Sequence, residues 1–123
     1  MKMQEYRYTV WTFRRTVTLF IWGTEKDFNK LFEWTWFDYN LTSWIYYFDK
    51  KHNCNIIWLK EFNLNTLVHE LVHCTMEILD QVWIEDANWE PAAFIYEELF
   101  TKIWIELWDS FDLEEDTKDF YSK

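Results

Sequence analysis

An α+β fold, with a small antiparallel sheet packed on a layer of two helices, is predicted by three features of the chain. Short segments rich in β-branched and aromatic residues fill the first half, apolar residues recur at three- and four-residue spacing from Leu64 onward, and polar turn residues separate the two regimes. At 123 residues, half of them hydrophobic, the chain suits one domain with a single core. No glycine- or proline-rich linker, internal repeat or low-complexity segment divides it. Within that domain, 1–62 reads as mainly strands with one helix, 63–109 as two helices, and 110–123 as an acidic tail.

Tyr6 to Ile21 is rich in Tyr, Val, Trp, Thr and Phe with partial alternation, and reads as one long strand or two short ones. Thr24-Glu25-Lys26-Asp27 resembles a capping box, and Phe28, Leu31 and Phe32 give the amphipathic helix that follows, at about 25 to 34. Residues 43 to 49 and 55 to 60 read as two strands around a turn at Lys50-Lys51-His52-Asn53. The second of these strands runs straight into the next helix; as a sheet edge it could hold an extended peptide by strand addition. Leu64, Leu67, Val68, Leu71, Val72, Thr75, Ile78 and Leu79 then mark a helix with a broad apolar face, capped by Asn63 or Asn65. A last helix runs to about Trp108, with Asn88 as its cap and Pro91 in its first turn, where a missing N–H costs nothing.

Inside the first long helix stands His69-Glu70-Leu71-Val72-His73, which holds two of the three histidines in the chain. Spacing of i and i+4 aims both rings at one point of one helix face, with a carboxylate between them. Zinc takes neutral imidazole readily and, in catalytic sites, keeps three protein ligands and leaves a fourth position to water. The pattern therefore predicts Zn2+ on His69 and His73, with Glu70 as the general base that takes a proton from the zinc-activated water. Ordinary helix-face histidines are the alternative; against them, Glu70 on an apolar helix wall is costly to bury unless paired or employed. Glu90, in the first turn of the following helix, is the candidate third ligand, although acidic residues also favour that place for the helix dipole alone. Glu97 lies on nearly the same face and is the reserve ligand or an acceptor for a ring N–H. An oxyanion donor could come from Tyr96, His52 or Tyr39, and packing is the commoner role for Tyr96.

The stretch Asn65-Thr66-Leu67-Val68-His69-Glu70-Leu71-Val72-His73-Cys74, followed by Ile78-Leu79-Asp80 and Trp89-Glu90-Pro91-Ala92-Ala93-Phe94-Ile95-Tyr96, resembles the small zincin-like metallopeptidases encoded by bacteriophages and prophages. The likeness covers roughly residues 55 to 105. In that family HExxH is followed by an Asn/Asp-Glu-Pro-x-Ala-Tyr-like segment whose glutamate completes the zinc site. The resemblance thus implies a minimal zincin-like domain, His69, His73 and Glu90 as ligands, and Glu70 as the catalytic base. Trp83 and Trp89 depart from the glycine and the small polar or acidic residue usual there. Phe94 departs from the aspartate of better-known gluzincins, which leaves the hydrogen-bond partner of one histidine unassigned.

A formal charge of -10 argues against nucleic-acid phosphate and anionic membrane surfaces as partners. Peptide or protein is the expected substrate, and a homodimer is expected only if large apolar patches prove exposed. Neither a membrane span nor an apolar leader is visible, so the expected compartment is the cytoplasm, that of the host if the gene is a phage gene. Cys54 and Cys74 read as free thiols. A second class of function stays open, a catalytically inactive zincin-fold protein that binds a host protein. Ten tryptophans against one glycine raise a separate expectation: some Trp positions, Trp83 above all, are glycine in the native organism, through a reassigned UGA codon.

Overall fold

The computed structural model describes residues 3–11, 13–82 and 89–107. Its elements in chain order are β1 (Gln4–Val10), β2 (Arg15–Ile21), α1 (Glu25–Leu31), a 3-10 turn at Tyr39–Leu41, β3 (Trp44–Asp49), β4 (Cys54–Leu59), α2 (Leu64–Gln81) and α3 (Trp89–Leu107). Trp83, Asn88 and the 110–123 tail lie outside the described residues.

The α+β class is as expected, but the sheet is mixed rather than antiparallel. Its order is β1-β2-β4-β3, with β1 antiparallel to β2, β3 antiparallel to β4, and β2 parallel to β4 from Val17↔Asn55 to Ile21↔Leu59. The strand expected at 55 to 60 is therefore an interior strand, not an edge. Its side chains explain this: Ile56, Ile57, Trp58 and Leu59 are all buried, a continuous apolar run that needs cover on both faces. The edge beside the helical layer belongs to β3.

Alternation sends successive side chains to opposite faces. Val17, Leu19, Ile21, Ile57 and Leu59 meet Leu67, Leu71, Ile78 and Leu79 of α2 and Ile95, Leu99 and Ile103 of α3 in the main core. Phe20, Ile56 and Trp58 face the other way, onto Phe28 and Phe32. The capping box of α1 forms: Thr24 Oγ1 accepts from the Asp27 N–H at 3.2 Å while Asp27 accepts from the Thr24 N–H at 2.9 Å. That helix stops at Leu31, short of the expected 34. Asn63 is the cap of α2, its side chain accepting from the Thr66 N–H at 3.2 Å. No helix among the described residues is long and apolar enough to cross a membrane.

Two backbone positions stand out. Gly23 is required, because a Cβ there would run into the Trp58 ring. Trp22, just before it, has φ 65, in the left-handed region that a bulky side chain avoids; Arg14 and Asn53 share that region at φ 53 and 51. Unlike those two, Trp22 packs its ring against the main core.

Candidate metal centre

Helix α2 turns one face to the sheet and the opposite one to solvent, and His69 and His73 lie on the exposed side. Their Nε2 atoms approach to 3.1 Å, with ring planes inclined at 72°. Tetrahedral zinc with Zn–N near 2.0–2.1 Å places two ring nitrogens about 3.3 Å apart. The donor set and its spacing thus fit a zinc ion with a few tenths of an ångström of adjustment.

Glu70, one residue round the helix, is 4% exposed. Burial pushes its carboxyl above the usual carboxylate range, against the opposing pull of His73, His69 and a hydrogen bond from the Tyr46 backbone. Tyr46 belongs to β3, so the edge strand and the histidine helix meet at this carboxylate. A groove of about 280 Å³ between them is lined by Trp44, Ile45, Tyr46, Glu70, His73 and Glu77. The parity of β3 follows from Lys60, whose N–H donates to the Ser43 carbonyl at 2.8 Å. Residues 43, 45, 47 and 49 therefore turn their backbone groups to β4, and Trp44, Tyr46 and Phe48 turn theirs to the open edge.

The side chain of Tyr46 is tied as firmly as its backbone. Its hydroxyl donates to Asn55 Oδ1, which also accepts from Gln81 Nε2 at 2.8 Å. Asn55 Nδ2 donates to the Thr16 carbonyl at 3.0 Å, and Arg15 Nε donates to Gln81 Oε1 at 3.0 Å. This network joins β2, β3 and β4 to the last turn of α2.

The remaining candidates are dispersed. Among the described residues no group of three His, Cys, Asp or Glu side chains is close enough to hold a metal ion, so Glu90 and Glu97 are not gathered with the histidine pair. Glu90 is exposed in the first turn of α3. Glu97 lines a separate depression with Phe94, Glu98, Thr101 and Lys102. Tyr96 stacks on Phe100 at 6.0 Å, and burial pushes its hydroxyl up, the packing role expected of it. His52 pairs with Asp49 at 2.7 Å in the β3–β4 turn, and Tyr39 lies under the Lys60 ammonium at 3.9 Å. Neither lines the groove. Cys74 is buried and Cys54 half-buried, both as free thiols.

Four residues of the groove, Trp44, Ile45, Tyr46 and Glu77, escaped the sequence reading. Glu77 was accessible to it, since i+4 from His73 is the same helix face. Tyr46 was not, because its part depends on which strand lies at the edge. No protein-family model, curated protein or solved structure matches the chain.

Proposed function

We propose that the chain is a zinc-dependent metallopeptidase of the phage-encoded zincin-like kind, acting on a protein in the host cytoplasm. One observation carries the reading: two imidazole nitrogens converge at 3.1 Å beside a buried carboxylate and an open strand edge. His69 and His73, with Glu90 as the proposed third ligand, would hold the zinc, which would supply Lewis acidity and an activated water. The chain's own residues do the rest. An extended substrate pairs with the outward backbone groups of Trp44 and Phe48 and with the Tyr46 carbonyl, the Tyr46 N–H being held by Glu70, which orients its scissile bond without reading much sequence. Glu70 accepts a proton from water in the groove and returns it to the leaving amine. Its burial favours that task, because a raised carboxyl binds a proton more tightly near neutral pH.

The dispersal of Glu90 and Glu97 favours, as the second reading, a zincin-fold protein that binds a host protein without cleaving it. Elemental analysis of the purified protein separates them at the first step. Near-stoichiometric zinc in the wild type, lost in His69→Ala and Glu90→Ala, supports the three-ligand site; loss in the histidine variant alone removes Glu90 from it. Absence of zinc from wild type supplied with the metal overturns the peptidase reading. Glu70→Gln then separates enzyme from binder, since it removes the proton acceptor while keeping shape and metal: cleavage disappears and binding persists.

A further inference from the structure

The groove between β3 and α2 is lined by the carboxylates of Glu70 and Glu77, with no lysine or arginine among its residues and His73 as its one basic group. Glu77 is exposed, and it is absent from the ion pairs among the described residues. It lies one helical turn beyond His73 on the same face. An extended chain added at β3 presents every second side chain to the α2 side of the sheet. The one nearest the histidines enters this groove.

We propose that the groove is a subsite for a cationic side chain, lysine or arginine, next to the scissile bond; this rests on the peptidase reading above. The carboxylate of Glu77 offers such a group a charge-assisted hydrogen bond, and the half-exposed Trp44 offers a ring face at the mouth. Selectivity is assigned to Glu77 rather than Trp44. The chain's charge of -10 steers basic substrates toward it as well.

The test uses the zinc-loaded full chain carrying Glu70→Gln and three matched peptides with lysine, norleucine or glutamate at one position. Calorimetry is expected to show the lysine peptide binding roughly tenfold tighter than norleucine. Adding Glu77→Gln should erase that ratio, and Glu77→Lys should favour the glutamate peptide. Turnover of the same peptides by the wild type is measured alongside. Lysine preference without cleavage keeps the subsite and sinks the peptidase reading. Cleavage without preference, or a preference indifferent to Glu77, sinks the subsite alone. No binding of any peptide overturns both.

Independently of the site, the backbone points to glycine, in the native protein, at positions 22, 11, 34 and 36. Trp22 holds φ 65 while its N–H continues the ladder to the Leu59 carbonyl at 3.2 Å, so the position is bound to a conformation that glycine adopts freely. Trp11, Trp34 and Trp36 lie outside the regular elements and are 71%, 86% and 101% exposed. An indole gains nothing there by burial. One reassigned UGA codon accounts for all four and for the lone glycine. The Trp22→Gly variant is expected to melt at a higher temperature than the wild type, with Trp22→Ala below Trp22→Gly. A glycine variant that melts at or below the wild-type temperature overturns the assignment. Intact mass of the protein from its natural source, matching ten tryptophans, would falsify it directly.

Discussion

Asn55 shows how much one buried amide can hold. It is fully buried, and it accepts from Tyr46 and Gln81 while donating to the Thr16 carbonyl. Truncation to alanine takes a partner from each of these groups, and only Tyr46 and Gln81 have a substitute, the direct bond from Gln81 Nε2 to the Tyr46 hydroxyl at 3.3 Å. Each stranded group costs about 1–3 kcal/mol, so Asn55→Ala is expected to lose roughly 2–4 kcal/mol, read as a lower denaturant midpoint at unchanged slope. The loss should also weaken the hold of the Tyr46 backbone on Glu70, since the same residue serves both. None of this is visible in the residue order: Asn55 heads the strand expected at 55 to 60, and nothing local names its partners. By contrast, the convergence of His69 and His73 follows from helix periodicity alone, which is why the pair was legible and the place of Glu90 and Glu97 relative to it was not. A third ligand depends on how a second helix docks, and no local spacing encodes that.

Among the elements, those with their own start signals were the most legible. The Thr24 capping box and the Asn63 cap form at the expected residues, because a cap is a contact between neighbours in sequence. Asp27 permits a sign to be worked out. Hydrogen bonds from Thr24 hold its carboxyl below the ordinary value of 3.8, so the capping contribution is complete above that value and disappears as pH falls through the lower folded one. Asp27→Asn is expected to cost about 0.5–1 kcal/mol at pH 7. The gap between wild-type and variant melting temperatures should close below pH 3.8. Strand roles were less legible than strand existence. Both halves of the β3–β4 hairpin were expected within a residue or so, yet the edge considered for 55 to 60 belongs to β3, because partner choice across the parallel β2–β4 pair is a tertiary decision. The uninterrupted Ile56-Ile57-Trp58-Leu59 run was the available hint.

At the scale of the whole molecule, the two faces of the sheet carry unequal covers. Two long helices, α2 and α3, close one face; α1 and the short turn after it close only part of the other. Leu71, fully buried under the first cover, should cost about 2–5 kcal/mol when cut to alanine, measured as a single cooperative loss in thermal unfolding. Phe28, at the centre of the second, touches Phe32, Tyr39 and Trp58. Phe28→Ala should cost about 3–5 kcal/mol and speed hydrogen exchange first in α1. The sequence-level pattern foretold two kinds of layer but not this asymmetry, which comes from the sheet order. That order also dictates a schedule. Val17 can meet Asn55 only after everything between them has been brought round, whereas β1–β2 and β3–β4 are each closed by a few residues. The two hairpins can therefore form early and the parallel seam late, with the loop-closure entropy falling on the rate-limiting ascent. Mutations in the seam, such as Leu19→Ala, should slow refolding in stopped-flow experiments more than equally destabilising changes in α3. The histidine helix leaves directly from the end of β4, so the face that carries His69 and His73 acquires its final orientation only when that seam closes.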